Sequence, residues 1–208
     1  MNKRQLQQTI LGDFQMLVPI AFKEWQVVCE ALASGRQSIL LRKGGIHEGS
    51  QGFSFAQKSF FLFPTRFHVL ADQVREGKVA VMPEWRPGDT VRITHYAEAA
   101  WALTLTDWKN VSALEPLHIY SKQTVRDRFD WATKGIAHGS IHLALVRVWK
   151  LTKPWELFYE TSHGGCRSWV NLSTPPLDWK ESAVPVLSDR AFETLVGHLD
   201  EQIRPSVT

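Results

Sequence analysis

Residues 141–151, IHLALVRVWKL, constrain the fold more than any other part of this chain. The run is apolar on both faces apart from His142, Arg147 and Lys150. A strand of that kind is stable only when both faces are covered, so it belongs at the centre of a sheet. Residues 60–63, four apolar side chains ended by Pro64, read as a second compact strand. Residues 91–96 make a third. In 101–106, Trp101, Leu103 and Leu105 alternate with Ala102, Thr104 and Thr106, the period of a half-buried strand. Shorter strands are expected at 38–42, 79–82, 158–160 and 168–172.

Helical spacing is clearest at the two ends. Phe22, Trp25, Cys29 and Leu32 form a stripe that predicts a helix over 21–33, closed by Gly35. Phe192, Leu195, Val196, Leu199 and Ile203 predict another over 189–203. Asp107 and Ser121 are placed to cap helices over 107–114 and 121–134, and Thr65 one running to Arg75. Strands and helices do not alternate one for one, which argues against a doubly wound parallel sheet. The expectation is an α+β fold, a small mixed or partly open β-barrel-like sheet with peripheral helices. At 208 residues it is read as one domain over 1–208, with 1–18 a loosely packed lead-in and 175–208 a connector and C-terminal helix.

Two cysteines, Cys29 and Cys166, exclude a four-cysteine zinc site and imply no disulfide framework, which suits the cytoplasm. No metal and no cofactor is expected, nor any membrane-spanning segment. The formal charge is only +3, from 24 basic and 21 acidic side chains. Its distribution is uneven: residues 121–150 carry a net four positive charges and 181–201 a net four negative. A fold that separates them would have one basic and one acidic side.

Candidate site residues fall on two glycine turns. Arg42-Lys43-Gly44-Gly45 sets two cations beside backbone that a ligand can approach closely, a natural phosphate cradle. His163-Gly164-Gly165-Cys166-Arg167 is the second such turn and could form the other jaw of one site. The blander alternative is two tight turns in which the arginines brace neighbouring loops. Arg66 and His68 follow a strand end, where sites collect. Lys122 and Arg126 are candidates for contact with a nucleic-acid backbone. Of nine tryptophans, Trp25 and Trp149 are assigned to the core; Trp85, Trp108 and Trp131, interleaved with cations, are candidates for base stacking. Cys166 with His163 suggests a nucleophile and base, which needs geometry to support it.

The opening that ends in Arg42-Lys43-Gly44-Gly45-Ile46, the run Phe60 to Thr65 followed by His68, and the segment Gly164 to Val170 together resemble an uncharacterised bacterial family, domain of unknown function 1802. The resemblance spans about residues 20–180. It implies no activity, but some relatives are joined to a restriction-endonuclease-like domain, so it implies such a partner and a role beside DNA cleavage. A helix ending at Gly35 before the strand with Arg42, and Gly88-Asp89 before Val91 and Ile93, is similar in layout to pseudouridine-synthase-like barrels of the ASCH and EVE kind, which include readers of RNA and modified DNA bases. The resulting expectation is a nucleic-acid-binding module for RNA or modified DNA. Its rivals are a hydrolase of RNA or a nucleotide, using His68 or His163 with Arg42, and an interaction protein with a basic docking face.

Overall fold

The computed structural model describes residues 19–43, 55, 57–66, 71–75, 82–131 and 139–203. Strand β1 (Ile20–Trp25) runs directly into helix α1 (Gln26–Ala33); β2 (Ile39–Lys43) and β3 (Ser59–Thr65) follow. The long strands β4 (Thr90–Leu105) and β5 (Ile141–Phe158) enclose helices α2 (Trp108–Ala113) and α3 (Lys122–Asp130) between them in sequence. Short strands β6 (Trp169–Asn171) and β7 (Val184–Pro185) precede the last helix, α4 (Asp189–Ile203).

The strands form one seven-stranded sheet in the order β2-β5-β4-β3-β1-β6, with β7 pairing to β5. Only β1 and β3 are parallel; the other pairs are antiparallel. The expected segment 141–151 is indeed internal, with β4 along one edge and β2 then β7 along the other. Its register with β4 slips between Ile93 and His95 and again between Ala99 and Trp101. Such bulges bend a strand and increase its twist. The sheet curls accordingly. Arg42 at one end of the strand order donates to the carbonyl of Lys23, next to the other end. The result is an open sheet curled toward a barrel, with a seam between β1 and β2 that no backbone ladder closes among the described residues.

Each face of the sheet has its own core. Phe22, Leu32, Leu40, Leu145 and Tyr120 lie in the larger one, under the helices; Ala21, Phe61, Phe63, Val91, Ile93 and Trp155 form the other. Several sequence expectations change. Residues 20–25 are a strand, not the first turns of a helix: Ala21 through Trp25 pair in register with Phe61 through Thr65, and Phe22 and Ala21 enter opposite cores. Pro64 does not end β3, which runs to Thr65. The two expected strands at 91–96 and 101–105 are one strand, and β5 continues past Leu151 to Phe158. Residues 67–70, 79–81 and 132–134 lie outside the described set; of the helix expected from Thr65 to Arg75, Thr65 belongs to β3 and Ala71–Gln73 form one 3-10 turn. The basic and acidic segments also meet rather than separate, through the ion pair of Arg147 on β5 with Asp189 of α4.

Candidate nucleic-acid interface

The seam is where the cations gather. Helix α3 starts at Ser121, whose Oγ accepts from the Thr124 N–H at 3.2 Å, and it lies along the outer edge of β2. Ser38 O accepts from Val146 N at 2.8 Å, so residues 38, 40 and 42 direct their backbone groups to β5 and 39, 41 and 43 face outward. Arg128 of α3 reaches that exposed edge and donates from Nη1 to Leu41 O at 2.8 Å. An arginine thereby blunts an edge that would otherwise invite another strand.

The Arg128 guanidinium lies 4.1 Å from the ring centre of Tyr120 and 4.7 Å from that of Trp25. Burial opposes its charge, but Tyr120 and Glu24 overcome this and hold it protonated above the ordinary range. Glu24 is 1% exposed; one carboxylate oxygen accepts from Trp25 N–H at 2.8 Å and the other is buried without a hydrogen-bond partner. Burial, then Glu24, pushes the Tyr120 phenol up, so it stays protonated. Arg42 sits 4.5 Å over Phe22. Lys43 places its ammonium 3.6 Å from the ring centre of Trp131, which is 47% exposed. Burial, with Arg128 and Arg42 nearby, lowers the Lys43 ammonium, while Cys166 works the other way.

These groups open onto one cleft of about 540 Å³, into which Arg42, Lys43 and Arg128 project beside Trp25 and Trp131. The first turn of α3, with Ser121, Gln123 and Thr124, forms another wall, and Asp72 and Asp127 complete the lining. Cations, aromatic rings and a helix N-terminus in one concavity favour an anion that carries a flat group.

The second glycine turn is tied to the same seam through Lys23. This lysine is only 5% exposed; its ammonium donates to Gly165 O at 2.8 Å and its own carbonyl accepts from Arg42. Gly165 has a φ of +75°, so the turn that presents this carbonyl needs glycine. Gly164 is half-buried, and Cys166 and Arg167 are exposed. His163 is buried, takes the Glu160 N–H on Nδ1 at 3.0 Å and packs on Phe63 and Tyr159. Burial lowers it, Glu160 raises it and Lys23 lowers it again, for a net downward shift. That environment makes His163 a fixture of the turn rather than a base for Cys166.

The remaining candidates lie elsewhere. Arg66 stacks 3.3 Å from the centre of Trp85 and donates to Gln26 at 3.3 Å, in a pocket that shares no residue with the seam cleft. Arg126 is held by Asp130 at 2.6 Å and covers Trp108 at 4.6 Å; Lys122 is exposed at the start of α3. Trp108 packs on Phe129, and Trp85 donates to Pro64 O, which leaves Trp131 the most open of the three expected stackers. Gly44, Gly45 and His68 lie outside the described residues. The sequence does not single out Lys23, Glu24, Tyr120 or Arg128 as site residues; Trp25 packs against the larger core, as its spacing implies, and also lines the cleft. The available signal was the adjacent pair Lys23-Glu24 inside an apolar run, legible only once that run is read as a strand. Among the described residues no group of three or more His, Cys, Asp or Glu side chains could hold a metal ion.

Fold and cleft together define a class: a mixed α+β protein with a curled open sheet and a cationic, tryptophan-bearing cleft at its seam. Residues 21–198 match the family described as Domain of unknown function (DUF1802), and the chain belongs to it. Among solved structures it is similar to the crystal structure of ASCH from Zymomonas mobilis, at 13% identity over 86% of this chain and 94% of that one, with a TM-score of 0.43. A serine-to-alanine mutant of that protein matches at 14% identity over 87% and 96%, with a TM-score of 0.40. No curated protein matches the chain.

Proposed function

We propose that this chain is a nucleic-acid-binding module that takes an unpaired stretch of RNA or DNA along its seam. The observation that carries this reading is the cleft of about 540 Å³ where Arg42, Lys43 and Arg128 meet Trp25 and Trp131. Guanidinium and ammonium groups bind phosphates and set affinity. A partly exposed tryptophan offers a face on which any base can stack. Such a pairing suits single strands, or a base turned out of a duplex, better than intact double helix. Arg167 and Lys122, both exposed, extend the cationic surface at the rim in this reading.

The test is fluorescence anisotropy with single-stranded RNA, unmodified DNA and base-modified DNA at low and moderate salt. Lys43→Ala should weaken binding and lower the salt slope by about 0.7, the value for one phosphate contact on a single strand. Trp131→Ala should cost about 1–3 kcal/mol, the range for losing one stacked base. Absence of binding to every probe at low salt would overturn the reading. The restriction-endonuclease-like partner and cytoplasmic setting belong to the same proposal; a partner that co-purifies after nuclease treatment is the outcome expected of it.

A further inference from the structure

A second pocket, of about 250 Å³, is lined along one side by α1 and shares no residue with the seam cleft. Its floor is apolar, from Ala33, Leu62 and Pro64. Its polar groups come from three elements. Gln26 and Glu30 of α1 are bonded to each other at 3.0 Å, and Arg66 donates to Gln26, so the guanidinium is aimed by a relay that ends on a carboxylate. Trp85 is pinned by its bond to Pro64 O at 2.8 Å and backs Arg66 from behind. Strand β4 contributes Arg92, Thr94 and His95.

His95 is the informative residue. It is 9% exposed, its Nδ1 is bonded to Thr94 Oγ1 at 2.8 Å, and its Nε2 is buried without a hydrogen-bond partner. A buried ring nitrogen left unsatisfied is costly, and a bound group that hydrogen-bonds to it would offset that cost. The β4 register slips between Ile93 and His95, at this wall of the pocket, and a bulge is a common device for re-aiming a side chain into a site.

We propose that this pocket binds a single nucleotide: a planar, hydrogen-bonding heterocycle on the apolar floor, with its edge at His95 and Thr94 and its phosphate at Arg66 and Arg92. The size limits the occupant to one such group, since about 250 Å³ falls just below the roughly 300 Å³ at which small-molecule pockets begin. Arg66 and Arg92, the latter paired with Glu156 across the strands at 3.2 Å, give the pocket two guanidinium groups, a geometry that takes a phosphate or similar oxyanion. The source is either a free mononucleotide or one nucleotide of a bound strand; the chemistry is shared. This inference stands on residues other than those of the seam cleft and does not need that cleft to bind nucleic acid.

The experiment is calorimetric titration of the full chain with AMP, GMP, CMP and UMP, with inorganic phosphate as control. At least one nucleotide should bind more tightly than phosphate. Arg66→Gln and His95→Phe should each weaken that binding about tenfold, near the free energy of one good hydrogen bond to a charged group. Lys153→Ala, exposed on β5 and part of neither lining, should leave it unchanged, and the weakening by Arg66→Gln, at a residue absent from the seam cleft, assigns the binding to this pocket. Should His95→Phe fail to fold, Arg92→Gln, at a largely exposed side chain, carries the same test. Competition by a single-stranded oligonucleotide identifies the occupant as part of a strand; its absence identifies a free nucleotide. The proposal is overturned if no nucleotide binds at millimolar concentration, if phosphate binds as well, or if the pocket variants bind like the wild type.

Discussion

Lys23 spends its charge inside the protein. Its ammonium holds the turn at Gly165 and its carbonyl holds Arg42, so one residue of β1 ties the end of β2 to that turn. Hydrogen bonds to charged groups contribute about 1.5–3 kcal/mol, and removing the donor here leaves a carbonyl that water can reach. Lys23→Met should therefore cost about 1–2 kcal/mol in urea unfolding while loosening residues 163–167, read as faster amide exchange there. An unchanged exchange pattern would mean that the turn holds itself. Glu24 beside it shows why the site was hard to read. A carboxylate in an apolar run looks like the solvent side of a helix, yet here it is almost fully buried under Arg128 and Tyr120.

At the scale of elements, α3 has two tasks: it covers the outer edge of β2 and it lends its first turn to the cleft. Ser121 caps that turn, so Ser121→Ala should destabilise the protein by about 1 kcal/mol, measured by thermal or urea unfolding. It should also weaken strand binding, because the turn it orders lines the cleft. The cap at Ser121, the cap at Asp107, the central position of β5 and helix α4 were all legible in the sequence, since each depends on local spacing. Gly35 was legible too: its φ is +73°, and a Cβ there would come within 2.8 Å of Leu187. The motifs at 42–45, 60–65 and 164–170 pointed correctly to the family. Strand β1 was not legible. Phe22, Trp25, Cys29 and Leu32 keep helical spacing across a strand-to-helix junction, and only parallel pairing with β3 reveals where one ends. With β1 misread, Lys23, Glu24 and Trp25 could not be placed at the seam. Arg128 was hidden for a similar reason, since its partner Leu41 lies 87 residues away.

Across the whole molecule, buried histidines shape the response to acid, His118 and His95 most strongly. His118 and His95 are each held down to about 4 by burial, reinforced by Arg75 and Arg128 at His118 and by Lys150 at His95. Unfolded, both would take up protons near 6.5. Between these values the unfolded chain binds more protons, so stability falls as pH drops from about 6.5 to about 4. For the deeply buried His118 the loss is at most about 3 kcal/mol. Urea midpoints measured from pH 7 to 4.5 should decline, and His118→Leu should flatten the decline. A midpoint independent of pH in wild type would refute the assignment. Because α4 buries Phe192, Leu199 and Ile203 in the larger core, fluorescence and circular dichroism should report one common transition.

The unclosed seam has a mechanical consequence. A closed barrel resists widening with a full ladder of backbone bonds along every strand pair. Here β1 and β2 are held across their gap by side-chain clasps, Arg42 on Lys23 and Arg128 between Leu41 and Trp25. Parting them leaves every strand pairing intact. Among the described residues the width of the cleft is therefore set by side-chain contacts and by the core that Phe22 and Leu40 share, not by a backbone ladder.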